Sequence, residues 1–126
     1  IQLHTHRHRV YDARARFDQG IDDNRHHLAS ITPGRREHFC YPGGVHLPEF
    51  LPWLAQKGVR SATTCQPGLA SRTSDPLTLP RLLDTSTLTP TEFSAWLSGL
   101  ASFLPQRRHE SPDWMLVRTP QAASRA

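Results

Sequence analysis

Short β-prone runs alternate with longer amphipathic segments along this chain, and the alternation limits its possible folds more than any other feature. The predicted strands are residues 1–5, 39–41, 59–64 and 79–83. The predicted helices are residues 13–31, 47–58 and 89–104. This order is typical of parallel strands with helices packed outside them, the α/β class. So few strands do not close a (β/α) barrel, which commonly has eight, so we expect a small open sheet or part of a larger barrel.

Apolar spacing and end signals define the first and last of these helices. The predicted apolar stripe of the first helix consists of Ala13, Phe17, Ile21, Leu28 and Ile31. Gly20 lies inside this helix and weakens it by about 1 kcal/mol relative to Ala. The last helix has the clearest start, because Thr89, Pro90 and Glu92 form a capping-box pattern. Its predicted buried face consists of Phe93, Trp96, Leu97, Leu100, Phe103 and Leu104.

Composition bounds the size of the fold and excludes two kinds of partner. The chain of 126 residues allows one domain, and 15 Lys and Arg against 11 Asp and Glu give a net charge of +4. The arginines are scattered rather than clustered into a basic stripe with interleaved aromatics, so we expect no nucleic-acid partner. No apolar run approaches the roughly 20 residues of a bilayer-spanning helix, so we expect no membrane span.

The two cysteines, Cys40 and Cys65, are too far apart for a CxxC pair and too few for a disulfide-rich scaffold. Free Cys behaves as a small hydrophobe, which favours two buried thiols on neighbouring strands. A structural disulfide between them is the alternative.

Three imidazoles lie close together in the segment His4-Thr5-His6-Arg7-His8. Neutral imidazole is a common ligand of zinc and related metals. In a straight strand His4 and His8 would stand about 13 Å apart, too far to share an ion, whereas in a helical turn their rings would converge. We therefore predict His4 and His8 as the pair, with His6 pointing elsewhere. A solvated turn is the alternative, and the adjacent His26 and His27 are interpreted as a solvated helix face.

Together with later segments, this histidine pattern resembles the polysaccharide deacetylases, the carbohydrate esterases with a NodB-type homology domain. The family's metal motif is a His, a Ser or Thr, two variable residues and a second His, which fits residues 4–8. Its next motif, an aromatic and a small residue followed by Tyr-Pro and Gly, fits residues 39–44. Residues 58–64, 68–69 and 79–81 resemble the end of the domain. The similarity covers residues 1–104 as the C-terminal portion of such a domain, and residues 105–126 are predicted to be a flexible tail.

The resemblance implies a partial (β/α) barrel that hydrolyses an N-acetyl or O-acetyl group on a polysaccharide, the N-acetyl case being cleavage of a carbon–nitrogen bond that is not a peptide bond. In the family a divalent metal, usually zinc, is held by one Asp and two His, which here are His4 and His8, and a neighbouring Asp is the general base. Gly43 would donate its backbone N–H to the developing oxyanion. Tyr41 and Pro42 would contact the substrate, and Arg81 would orient the base. A surface ion pair is the alternative for Arg81.

The chain departs from the family chiefly in its carboxylates. The family's Asp-Asp motif precedes the His motif, whereas Asp22 and Asp23 follow it inside a predicted helix and are not a replacement. The late Leu-x-His motif is not found, since His109 has no matching Leu, and Cys40 stands where many members have Arg. Because the sequence begins without an initiator Met, we expect an upstream part that supplies the third ligand and the general base. The compartment is left unassigned for the same reason.

The expected function is therefore metal-dependent polysaccharide deacetylation within a longer protein, with this chain inactive alone. The alternative is a non-catalytic carbohydrate- or partner-binding module on the same scaffold, with Tyr41 and Trp53 as contact residues and no need for a metal. An Arg-rich nucleic-acid binder is a third hypothesis, which would show a steep loss of DNA affinity with salt. The sugar, the physiological metal and the oligomeric state are left open.

Overall fold

The computed structural model describes residues 1–83, 86–103 and 113–119 and shows a mixed α/β protein. Its strands are β1 (Val10–Tyr11), β2 (His38–Cys40), β3 (Ser61–Thr63) and β4 (Leu116–Val117). Its α-helices are α1 (Arg14–Ala29), α2 (Phe50–Gln56) and α3 (Pro90–Leu97). Short 3-10 turns lie at Pro42–Gly44, Leu100–Phe103 and Asp113–Met115. No helix in the described ranges is long and apolar enough to cross a bilayer.

Parallel pairing of β2 with β3 forms the centre of the sheet, with Phe39 opposite Ala62. Leu3 makes a parallel bridge to Phe39 on one side of this pair, and Leu79 makes one to Thr63 on the other. The predicted strands therefore lie side by side in chain order and in one direction. The first and last of them are reduced to single bridges, and the described residues form no closed barrel.

Aromatic side chains from both early helices and the sheet meet in the core. Phe17 of α1 stacks on Phe50 of α2, with ring centroids 4.7 Å apart, and its centroid lies 6.4 Å from that of Phe39 in β2. All three side chains are at most 3% exposed. Burial of such a side chain contributes roughly 1.5–3 kcal/mol. This aromatic cluster fixes α1 and α2 against the strands that lead into the site.

Helix α1 confirms most of the stripe predicted for it. Phe17, Ile21 and Leu28 are buried, as the helical period requires. Ile31 lies beyond the end of the helix at Ala29 and is 58% exposed, so its place in the stripe was wrong. The chain turns away after Ser30, which ends the period before that position is reached.

Helix α3 begins as predicted but does not bury the predicted face. The N–H of Glu92 donates to Thr89 Oγ1 at 3.2 Å and Glu92 Oε2 accepts from the N–H of Thr89 at 2.8 Å, so the capping box is confirmed. No residue of α3 is buried, however, and Leu97 is 57% exposed. In the turn that follows, Leu100 and Phe103 are also exposed, and Leu104 lies outside the described residues. Apolar spacing predicts which residues share a face, but it does not predict that another element covers that face.

A second, two-residue strand pair joins the two ends of the described chain. β1 pairs in parallel with β4, with Val10 opposite Leu116. Asp12 Oδ1 accepts hydrogen bonds from the N–H of Thr119 at 2.7 Å and from its hydroxyl at 2.6 Å. Met115 is buried in the core. Residues 113–119 of the predicted flexible tail thus form a turn and a strand, while the other residues of 105–126 lie outside the described ranges.

Candidate functional site

The segment after Leu3 turns back on itself and brings two imidazoles together. The N–H of His8 donates to the carbonyl oxygen of Thr5 at 3.3 Å, and His8 has a φ of 51°, which is uncommon for a residue other than glycine. As a result the ring centroids of His4 and His8 lie 4.9 Å apart. The ring of His6 lies instead beside that of His27, at 5.4 Å. A tight turn, rather than the predicted helical turn, joins the pair.

His4 is held from both its backbone and its ring. Its N–H donates to Oδ1 of Asn24 on α1 at 2.9 Å, and its Nδ1 lies 2.5 Å from the carbonyl oxygen of Cys40. Burial acts to lower the pKa of His4, but hydrogen bonding to the Cys40 side chain and carbonyl oxygen more than offsets it, so the pKa lies above its ordinary value. A carbonyl on one ring nitrogen fixes the ring and directs the other nitrogen outward, which is the usual arrangement of a metal-binding histidine.

Five of the predicted site residues line one cavity of about 660 Å³: His4, His8, Tyr41, Gly43 and Arg81. The cavity runs along one face of the β2–β3 pair, since the first and last residues of both strands line it. Alternate residues of a strand point to the same face, so neighbouring strands add side chains to one wall. The strand order therefore explains how residues so distant in sequence come together.

The Pro42–Gly44 turn contributes Gly43 to the wall of this cavity. Gly43 and Gly44 have φ values of 54° and 74°, in the left-handed region that favours glycine. The N–H groups of Gly44 and Val45 donate to carbonyl oxygens within the turn at 3.0 Å. Within the described residues no acceptor lies opposite the N–H of Gly43. An unpaired N–H on a cavity wall can donate to an oxygen atom of a bound molecule.

Cys40 and Arg81 form a contact that the sequence analysis did not predict. Arg81 Nη1 donates to Cys40 Sγ at 3.1 Å, and the N–H of Arg81 donates to the carbonyl oxygen of Gln66 at 2.8 Å. Hydrogen bonding with the His4 ring has the largest effect on the pKa of the Cys40 thiol and lowers it. The Thr63 side chain and the Arg81 charge lower this pKa further, whereas burial raises it. Together they lower the pKa of Cys40 to about 7.

The cysteine interpretation needs a correction at Cys40. Both cysteines are free thiols, so the structure contains no disulfide between them. Cys65 is buried, as predicted, but Cys40 is only half-buried and reaches the cavity. His38 lies in the same wall, with its Nδ1 2.8 Å from Ser61 Oγ. No sequence pattern marks His38 or Cys40 as a site residue, because their roles depend on which strands become neighbours.

The two predicted substrate contacts, Tyr41 and Pro42, are buried. The Tyr41 hydroxyl donates to the carbonyl oxygen of Leu77 at 3.0 Å, and its ring lies edge-on to Phe39. Burial, with the nearby Asp75 charge, raises the pKa of Tyr41. Trp53, the other contact residue of the binding-module alternative, packs against Phe17. Tyr41 lines the cavity but is fully buried, so its ring presents little surface to a ligand, whereas Trp53 is partly exposed.

The acidic residues of α1 do not reach this cavity. Asp22 pairs with Lys57 at 2.5 Å, and Asp23 pairs with Arg7 at 3.6 Å. Asp22 and Asp23 are therefore not placed to replace the family's Asp-Asp motif. His109 lies outside the described residues. Within the described ranges no three His, Cys, Asp or Glu side chains are placed to hold a metal together. His4 and His8 fit a metal in residue type, and the Cys40 carbonyl oxygen supports the His4 ring, but the pair supplies only two of the usual three protein ligands.

Comparison with known proteins adds no relative to this picture. No family model, no curated protein sequence and no solved structure matches the chain. The observations that bear on function are therefore the motifs at residues 4–8 and 39–44 and the cavity that they line.

Proposed function

We propose that this protein is a metal-dependent polysaccharide deacetylase and that residues 1–104 are the C-terminal portion of its (β/α) barrel domain. The observation that supports this most is the convergence of His4 and His8 in the same cavity as the free N–H of Gly43. The family motifs predicted a metal pair and an oxyanion donor. Those motifs are separated by more than thirty residues in the sequence, and the sheet places them next to each other.

Each residue has a chemical task in this proposal. His4 and His8 hold a divalent metal, zinc by family resemblance, through one ring nitrogen each. A bound divalent metal polarises the acetyl carbonyl and activates water as the nucleophile. The Gly43 N–H donates to the carbonyl oxygen as negative charge develops on it. Arg81, which contributes a fixed positive charge beside Cys40, orients the general base.

The third ligand and the general base belong to a part of the protein other than this chain in our proposal. The 126-residue chain alone is then expected to show no deacetylation of chitooligosaccharides, because nothing removes the proton from the attacking water. A version extended upstream to include an Asp-Asp pair is expected to be active. Turnover by the isolated chain that disappears in His4→Ala would contradict this division of roles.

Zinc binding by the chain tests the proposed ligands without relying on activity. His4→Ala and His8→Ala are each expected to weaken Zn²⁺ binding at least about tenfold in a competition assay with a chelating dye. His26→Ala is the matched control, since His26 is an exposed histidine of α1 and is expected to leave the affinity unchanged. Equal affinities for all four proteins would reject the pair as ligands.

The binding-module alternative predicts a different result for the wild-type protein and the histidine variants. It requires glycan affinity that persists in the presence of a chelator and in the His4→Ala/His8→Ala double variant. The burial of Tyr41 does not support it, because stacking on a sugar needs an exposed aromatic face.

A further inference from the structure

A second cavity, of about 290 Å³, lies beside the histidine turn. It shares no lining residue with the first: His4 and His8 line the first, whereas Thr5, Arg7 and Arg9 line the second. Arg16, Gln19 and Gly20 of α1 complete its wall together with His6 and Tyr11. One turn therefore contributes to two adjacent cavities.

This second cavity has an excess of positive charge. Arg7, Arg9 and Arg16 line it, and no Asp or Glu does. Among the described residues the only carboxylate paired with any of these arginines is that of Asp23, at 3.6 Å from Arg7. The Arg16 guanidinium lies 5.9 Å from the centre of the Tyr11 ring, a contact that orients the group without neutralising it. Guanidinium groups match the paired oxygens of carboxylate, sulfate and phosphate.

A buried hydroxyl in the same wall has no partner of its own. Thr5 is only 8% exposed, and its Oγ1 makes no hydrogen bond within the described part of the chain. Burying a hydroxyl without a partner is unfavourable, so most buried hydroxyls have one. Water does not reach this oxygen, so it lies beneath the cavity surface and is not counted among the contacts of a ligand.

Gly20 keeps the cavity open. It lies in the middle of α1, where glycine weakens the helix, and it has no positive φ that would require glycine. A Cβ built at this position meets no atom within 4 Å, so packing does not require glycine either. The lack of a side chain does, however, leave room beside Arg16.

We propose that this second cavity binds an anionic group, with Arg9 and Arg16 as the charged contacts. Resting on the proposed deacetylase function, we assign the group to the substrate: an acidic polysaccharide whose charged sugar enters the second cavity while an acetylated sugar occupies the first. The shared turn makes this pairing possible, because adjacent residues of it face the two cavities.

Inorganic phosphate tests the anion site alone. Calorimetric titration of the full chain at low ionic strength is expected to give a Kd of about 1 mM, and Arg9→Gln/Arg16→Gln to weaken it at least about tenfold. Arg60→Gln/Arg72→Gln removes the same charge elsewhere and is expected to change the Kd less than about twofold. Equal effects of the two double variants, or no saturation in the wild-type protein, would overturn the site.

Filling the cavity provides a second variant that does not remove charge. Gly20→Leu is expected to abolish phosphate binding without lowering the thermal midpoint of unfolding, because the helix gains propensity and the side chain has room. Phosphate binding that persists in a folded Gly20→Leu protein would contradict the location of the site.

Oligosaccharides distinguish a free anion from a charged sugar. A tetrasaccharide of alternating N-acetylhexosamine and uronic acid is expected to bind at least about tenfold more tightly than uncharged chitotetraose, and Arg9→Gln/Arg16→Gln to remove the difference. Equal binding of both sugars by a protein that still binds phosphate would overturn the acidic-polysaccharide assignment and leave a free-anion site. Zinc binding is measured separately, so a failure of His4 and His8 as ligands would reject the deacetylase proposal and leave the phosphate result standing.

Discussion

At the scale of single residues, one glycine determines how closely the Pro42–Gly44 turn approaches the cavity wall. Gly44 has a φ of 74°, and a Cβ added to it would lie 2.7 Å from Cys65 Cβ and 2.9 Å from the Cys65 nitrogen. Both atoms belong to a buried residue, so neither can move aside easily. The close contact keeps the turn, and with it the Gly43 N–H, against the end of β3. Only glycine combines this backbone conformation with this proximity.

The reactivity of Cys40 provides a residue-scale prediction. Because His4, Thr63 and Arg81 favour the thiolate, alkylation of Cys40 by iodoacetamide is expected to rise with pH and reach half its maximal rate near pH 7. Burial raises the pKa of Cys65, so that thiol is expected to react only at more alkaline pH. Mass spectrometry of the two tryptic peptides across pH 5–10 measures both residues in one sample.

Two variants test the cause of that reactivity. Arg81→Gln and His4→Ala are each expected to move the Cys40 midpoint to higher pH, because each removes a group that stabilises the thiolate. Arg72→Gln, which removes a charge from an exposed loop, serves as the control. A Cys40 midpoint near pH 9 in the wild-type protein would contradict the arrangement.

At the scale of secondary-structure elements, the start of a helix could be predicted from nearby residues, whereas the elements that pack against it could not. The capping box at Thr89 gave the start of α3 because all of its atoms lie within four residues. The apolar face of α3 was wrongly expected to be buried, since its covering partner cannot be deduced from spacing. The His4–His8 pair was predictable in the same local way, although the helical turn expected for it is a tight turn. Cys40 was missed as a cavity residue because its contact with Arg81 spans 41 positions.

The Asp12–Thr119 contact provides a prediction for the β1–β4 pair. The hydrogen bond from the Thr119 side chain lowers the pKa of Asp12 below its usual value near 3.8; desolvation opposes it, and the hydrogen bond from the Thr119 backbone adds a smaller lowering. A lowered carboxyl pKa stabilises the folded form at pH values above the usual pKa, and the stabilisation is lost as the pH falls through the folded value. Protection of the Val117 amide from hydrogen exchange is therefore expected to drop below about pH 4.

A substitution separates this effect from general acid unfolding. Asp12→Asn is expected to reduce protection of the β4 amides at neutral pH and to remove its pH dependence, while the α1 amides stay protected. Exchange followed by NMR at several pH values measures both sets of amides. Loss of protection in α1 and β4 together would indicate global unfolding instead.

At the scale of the whole molecule, stability is concentrated in the part that surrounds Phe17. Phe17→Ala is expected to lower the free energy of unfolding by about 3–5 kcal/mol, because it leaves a cavity between α1, α2 and β2. Leu97→Ala removes an apolar side chain from the exposed face of α3. This substitution is expected to change the free energy of unfolding by no more than about 0.5 kcal/mol. Urea denaturation curves give both values, and a comparable loss in Leu97→Ala would mean that α3 is covered in solution.

The parallel pairing of Val10 with Leu116 has a practical consequence for anyone who shortens this chain. A version that stops before Asp113 would keep each cavity residue named above, yet it would lose the strand that fixes the backbone two residues after His8. The metal affinity measured for such a version would then be lowered by the mobility of the His4–His8 turn, and it would no longer measure how well the two histidines bind the metal. Terminal deletions and C-terminal tags are therefore best placed after Thr119.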